Sequence, residues 1–403
     1  MADNVGGKLY NDPAGDFGSA DPSGIGSQIR VDHYLKKALI EARKEQYFGQ
    51  LADVTSMPKH MGKRMRKYHY IPLLDVRNVN DQGINAAGAG IADGNLYGSS
   101  KDVGAIPSKM PQLSETGGRV NRVGFTRLEV TGTLEKYGFF DEYTQESVDF
   151  DSDADLRMHV NREMVNGAQE ITEDLLQIDL LTEAGANGTV RYAGTASSIL
   201  TTSGEAAGDQ LAYGDFLRLS IALDDNRTPK QTKVITGTRL VDTKTIRGGR
   251  VMYIGSELQP TLEGMVDLHG NQAFVPVNQY AAGGTIMNGE VGSISHFRIV
   301  VVPEMMKFEA GGATSTTDTH YETSNKYDVF PMLVVGDGAF STIGFQTDGK
   351  TVKFKIKHAA PGSTESYAQD PYGETGFMSI KWYYGYLPLR SERLGLIYTT
   401  ATM

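Results

Sequence analysis

Apolar residues fall into helical register soon after the start of the chain. Val31, Tyr34, Leu35, Ala38, Leu39 and Ala42 recur three or four residues apart, with Lys36, Lys37, Glu41, Arg43 and Lys44 between them. That spacing predicts an amphipathic helix. The preceding residues 1–27 are rich in Gly, Asp, Asn and Pro without apolar period, and read as a flexible arm. Two strand-like stretches follow, Met65–Val76 and Arg122–Glu135. Between them Gly83–Gly118 is a long run of Gly, Ala, Ser and Asn. Compact domains rarely hold such a loop unless it acts on something outside themselves, so the pair reads as an extended hairpin.

The strongest helical signal comes next. Leu156, Val160, Met164, Ala168, Ile171, Leu175, Ile178 and Leu181 form an apolar stripe over roughly 30 residues, about 45 Å of rod. Asp149, Asp151, Asp153 and Asp155 would supply an acidic start suited to the helix dipole, and Gly185 a stop. Beyond it Tyr213–Asn226 reads as a second amphipathic helix, with Phe216, Leu217, Leu219, Ile221 and Leu223 as its apolar face. Val251–Gly255, Phe297–Val302 and Val329–Val335 read as strands, and Glu257–Val266 as a short helix with Pro260 in its first turn. Alternation returns at Val352, Phe354 and Ile356, at Met378, Ile380, Trp382 and Tyr384, and at Leu394, Leu396 and Ile397. The fold class is α+β.

Composition narrows the function. A chain of 403 residues exceeds the usual reach of one hydrophobic core, so two or three lobes are expected. The absence of cysteine excludes disulfide stapling, thiolate metal sites and a Cys nucleophile. A net charge of −10 argues against a general nucleic-acid binder, which needs a basic surplus. No apolar run is long enough to span a bilayer, and the first residues lack the apolar core of a signal peptide; no membrane contact is expected.

The chemistry is thin. Gly88 and Gly90 lack the third glycine of a dinucleotide loop. A calcium loop starting at Asp149 would need Gly where Ala154 stands and Glu where Val160 stands. His33, His69, His159 and His296 sit inside expected elements without ligand spacing, and Trp382, Tyr383, Tyr384 and Tyr386 read as packing residues of a strand. One dense basic patch, Lys59, Lys63, Arg64, Arg66 and Lys67, suits a partner's acidic face or solvent better than nucleic acid, given the net charge. No catalytic group, cofactor or metal site is expected.

The order of elements carries the identification: polar arm, long hairpin, rod helix, mixed lobe, returning strands. It resembles the Hong Kong 97-type phage capsid fold. Local stretches are similar to the major coat proteins of the N-four-like short-tailed phages. These are Gly62-Lys63 leading into Tyr68–Leu74, Leu134-Glu135-Lys136-Tyr137-Gly138 ahead of the long helix, and Phe274-Val275-Pro276-Val277. Gly289-Glu290-Val291-Gly292-Ser293-Ile294 running into Phe297-Arg298-Ile299-Val300, and Tyr384-Gly385-Tyr386 to Arg393-Leu394, complete the set. The likeness covers the chain from about residue 29 and departs from the family at 310–327 and at the hairpin tip.

The resemblance implies a non-enzymatic shell subunit, divided into an arm (1–60), an extended loop (61–135), a peripheral domain with its spine helix (136–208), an axial domain (209–340) and returning peripheral strands (341–403). The implied partners are its own copies in pentamers and hexamers, packaged DNA bound without sequence reading, and scaffold, portal and decoration proteins. The implied location is the virion, after assembly in the host cytoplasm. Expected inter-subunit contacts are Lys63, Arg64 and Arg66 on the basic patch, and Ile84, Ile91, Leu96, Val103, Ile106 and Met110 in the loop. Some relatives crosslink a loop Lys; nothing marks Lys101 or Lys109 as reactive. The rival readings are a tail or decoration protein and, from another class, a cytoplasmic enzyme.

Overall fold

The computed structural model describes residues 47–51, 53–57, 60, 62–70, 127–149, 156–204, 208–235, 243–280, 286–315, 319–347, 350–351, 354–363 and 372–402. The arm, its expected helix and the loop 83–118 lie outside these residues.

Two seven-stranded sheets organise the chain. The first contains β1 (Asp53–Met57), β2 (Arg64–Tyr70), β3 (Arg127–Thr144), β14 (Phe340–Thr347), β15 (Lys350–Thr351), β16 (Phe354–Ala359) and β17 (Thr375–Pro388). Its main path runs β1-β14-β17-β3-β2, with β16 also on β17 and β15 on β14. The second runs β4-β18-β13-β7-β10-β9-β8, built from β4 (Thr189–Tyr192), β7 (Arg250–Gly255), β8 (Phe274–Pro276), β9 (Glu290–Ile294), β10 (Phe297–Val302), β13 (Phe330–Val335) and β18 (Leu394–Thr399). Two small hairpins, β5 (Gln231–Ile235) with β6 (Thr243–Arg247) and β11 (Glu322–Thr323) with β12 (Lys326–Tyr327), stand apart. The helices are α1 (Gln145–Asp149), α2 (Leu156–Asn187), α3 (Tyr213–Asp225) and α4 (Gln259–Glu263).

The central strands β7, β13 and β18 are buried at every residue, which explains their unbroken apolar runs. Alternate side chains serve opposite cores. Val251, Tyr253, Leu333 and Leu396 join α2, whereas Met252, Ile254, Val334 and Ile397 join Phe216, Leu219 and Leu223 of α3. Arg250 at the start of β7 is fully buried. Its guanidinium donates to Asp224 Oδ1 of α3 at 2.5 Å and to the Thr228 carbonyl at 2.6 Å, so the charge is paired rather than stranded.

Six expectations are corrected. Strand β3 continues nine residues past Glu135, because Leu134 to Thr144 pair antiparallel with Gly385 to Thr375 of β17. Asp149 ends the separate helix α1 and accepts from Gln145 Nε2 at 2.7 Å; α2 begins at Leu156 with no acid in its first turn. Asp151, Asp153 and Asp155 lie outside the described residues. Helix α2 runs through Gly185 and ends before Gly188, where a side chain would meet the Ala184 and Leu394 carbonyls at 2.6 and 2.9 Å. Its stripe also rotates: Leu176, Leu180 and Ala184 are buried, while Ile171 and Ile178 are 41% and 46% exposed. On α3, Ile221 likewise faces out. His296 occupies the turn between β9 and β10 rather than a regular element, and it is exposed.

Candidate subunit interface

Of the expected hairpin, the described residues are β2 and the part of β3 paired with it. Strand β2 pairs with β3 from Arg64↔Thr133 to Tyr70↔Arg127 and is a terminal strand of the sheet path. Lys63, Arg64 and Arg66 are all exposed there. Arg66 Nε contacts Glu129 Oε1 at 3.0 Å across the pair. A surface pair of this kind contributes about 0–1 kcal/mol, so it orients Arg66 more than it stabilises the two strands. Ile84, Ile91, Leu96, Val103, Ile106 and Met110 lie outside the described residues.

A neighbouring basic residue gains two partners that the sequence places more than 320 positions away. Lys67 and Tyr68 line a cleft of about 220 Å³ together with Val130, Gly338, Leu389, Arg390 and Arg393. The short turn at Ser391–Arg393, between β17 and β18, brings the two arginines there. Arg393 donates to the Asp337 carbonyl at 2.5 Å. Burial, and then the charge of Arg390, pull its ionisation below the usual arginine value. A half-buried cation beside a second cation is a poorly solvated positive site. The floor is apolar, because Val130 and Leu389 pack against the small core of Met57, Leu134, Ile343 and Leu387.

From this end the sheet extends as the β3–β17 ladder. Tyr137 and Phe139 turn to one face, where they meet the buried Trp382 with ring centroids 6.1 and 6.0 Å apart. The intervening residues turn outward, and Phe140 is 63% exposed. Lys136 and Lys381 are exposed on the same ladder, and the exposed Lys355 of the adjoining β16 stands directly opposite Lys381. At the far end Asp141, Glu142, Glu146 and Asp149 are exposed. Among the described residues none of these four carboxylates forms an ion pair.

Helix α2 covers the face that Tyr137 and Phe139 share with Trp382, and adds polar contacts there. Tyr384 donates to Asp179 Oδ2 at 2.7 Å. Burial and then that bond push the Tyr384 phenol up, and burial also raises the Asp179 carboxyl. Glu135 hydrogen-bonds Tyr137 and, with burial, pushes its phenol up to about 12. The Tyr384–Asp179 bond ties helix to sheet, whereas Glu135 and Tyr137 pair within β3. Among the described residues no cluster of three or more His, Asp or Glu could hold a metal ion.

The segment 47–51 has its own socket, which the sequence did not reveal. Glu173 of α2 is buried, and its Oε1 accepts from the backbone N–H of Tyr47 (2.8 Å), Phe48 (2.6 Å) and Gly49 (3.4 Å). Tyr253 donates its hydroxyl to the Tyr47 carbonyl at 3.0 Å, and its ring lies 4.6 Å from that of the buried Phe48. Its one trace in the sequence is an acid among the apolar positions of α2.

Comparison with known proteins follows the same outline. A family model described as phage capsid protein matches residues 128–399. A protein of Pseudomonas phage KPP21 named major capsid protein is 57% identical over 98% of this chain and 97% of its own length. Among solved structures, the capsid of Ralstonia phage GP4 superposes with a TM-score of 0.55 at 12% identity, covering 94% of this chain and 97% of that one. The capsid of cyanophage P-SCSP1u gives 0.52 at 14% identity, covering 92% and 93%.

Proposed function

The chain belongs to the phage capsid protein family and carries the Hong Kong 97-type capsid fold, and from that premise we propose that it is a major capsid protein. Its role is structural rather than catalytic: it is a subunit that assembles with its own copies into the icosahedral head of a bacteriophage. One observation carries this reading, the 57% identity with a phage major capsid protein across nearly the whole length of both chains.

The finer parts of the proposal are these. The subunits form pentamers and hexamers, around DNA held without sequence recognition, in a particle assembled in the host cytoplasm. Scaffold, portal and decoration proteins are the further partners, and the N-four-like short-tailed phages are the subgroup. The loop 83–118 reaches a neighbouring subunit, because its thinly spread anchors from Ile84 to Met110 cannot offset the entropy of ordering it, about 1–2 kcal/mol per residue, within one chain. Symmetric repetition would multiply each weak contact.

The test is assembly of the purified full-length protein followed by negative-stain microscopy. Capsomers or closed shells are expected, alone or with scaffold; a protein that stays monomeric and only coats preformed shells is a decoration protein instead. Replacing residues 85–110 by a short Gly/Ser turn should leave a folded, soluble monomer that closes no shells. Normal particles from that variant would remove the loop from the assembly contacts.

A further inference from the structure

The basic cleft and the acidic end sit on one strand. Lys67 pairs with Val130 of β3, and Asp141 and Glu142 lie at the other end of the same strand. Eleven residue steps at about 3.3 Å place them about 36 Å apart. That is several times the screening length of about 8 Å at physiological salt, so neither end can neutralise the other within one chain. Both ends also offer an exposed aromatic: Tyr68, 45% exposed, lines the cleft, and Phe140 stands beside the acids.

Resting on the reading of the chain as a shell subunit, we propose that these ends are the two halves of one contact, in which the acidic end of one copy docks into the basic cleft of the next. Asp141, Glu142 and Glu146 meet Lys67, Arg390 and Arg393, and Phe140 lies against Tyr68 and Leu389. Two different surfaces joined head to tail make a heterologous contact, the kind that closes into rings. A chain of net charge −10 that gathers three cations around one cleft has a local complement on its own surface. The apolar floor of Val130 and Leu389 suits a protein segment bearing a Phe better than a phosphate backbone. Because the exposed Lys67 and the partly exposed Arg390 and Arg393 meet exposed carboxylates, the contact should weaken as salt rises.

The experiment reverses the charges at each end of the full-length protein and measures assembly by sedimentation at low salt. One variant carries Lys67→Glu and Arg390→Glu, leaving Arg393 to hold the Asp337 carbonyl; the other carries Glu142→Lys and Glu146→Lys. Each should raise the concentration needed for assembly about tenfold or more. Combining all four changes in one chain should restore it, and mixing the two variants should restore it in part, since they can alternate in six-membered but not in five-membered rings. Circular dichroism identifies any variant that fails to fold, and Lys67→Gln with Arg390→Gln then takes its place, with a smaller loss of assembly expected. Wild-type assembly by either variant alone, or failure of both the mixture and the combination to recover, overturns the pairing. A cleft variant that forms normal shells but no longer retains DNA would assign the cleft to nucleic acid and overturn it equally. A wild-type protein that never assembles would bring down the shell-subunit reading itself, and the pairing with it.

Discussion

Replacing Glu173 tests whether the segment 47–49 is fastened by one buried carboxylate. Two of its three hydrogen bonds, from the Tyr47 and Phe48 amides at 2.8 and 2.6 Å, have good length; the Gly49 bond at 3.4 Å is marginal. A hydrogen bond to a charged acceptor contributes about 1.5–3 kcal/mol, and a neutral one about 0.5–1.5. Glu173→Gln keeps an oxygen in place but removes the charge, losing about 1 kcal/mol per good bond and about 2 in all. Glu173→Ala leaves both amides without that acceptor, at about 1–3 kcal/mol each. Against this, burial of Phe48 still holds the segment by about 1.5–3 kcal/mol. The Gln variant should therefore stay docked but open more often, by about 30-fold at about 1.4 kcal/mol per decade. Hydrogen exchange of a peptide spanning residues 47–50 reads this opening directly. Its amides should exchange about 30-fold faster in the Gln variant, and faster still with Ala, while peptides from β7 and β13 are unchanged. If those amides exchange at the wild-type rate in Glu173→Ala, the carboxylate does not hold the segment.

The rotated stripe of α2 makes a paired prediction: Leu180→Asp should abolish folding, because an unpaired carboxylate at a fully buried site costs several kcal/mol. Ile171→Asp, on the exposed side, should change the melting of the free subunit little, and equal damage from both would refute the assignment. Asp328 supplies a pH dependence. Burial alone would raise its carboxyl, but Lys307 (2.8 Å), the Ala310 amide (2.9 Å) and Thr323 (3.2 Å) outweigh it and hold the group below the usual carboxylate range. A depressed folded value contributes stability above about pH 4 that is lost as pH falls through it. Asp328→Asn should thus cost about 1.5–3 kcal/mol at pH 7 in denaturant titrations, with the gap from wild type closing below about pH 4; a gap that persists there would contradict the ionic account.

Sequence alone determined the elements whose signal is local. Helix α2 was legible from its period, β10 from the run Phe297–Val302, and the buried face of β17 from the alternation of Met378, Ile380, Trp382 and Tyr384. Pro260 marked its short helix in the same way, since a fixed φ suits a first turn. The order of these elements was enough to recognise the family, because order survives where single residues drift. Tertiary structure decided what depends on a partner. Leu175, Leu176, Ile178, Leu180 and Leu181 put apolar groups on several sides of one helix, and only the sheets packed against it select Leu176 and Leu180 over Ile178. Strand β3 extends beyond its own apolar run because β17 supplies ten paired positions along Glu135–Thr144, which no window of that sequence contains. Lys67 was visible as part of a charge run, yet its meeting with Arg390 and Arg393 depends on a turn at the other end of the chain. Periodicity records which residues leave water; it cannot record which distant backbone or charge they meet, because that is fixed by how the finished sheets bring remote segments together.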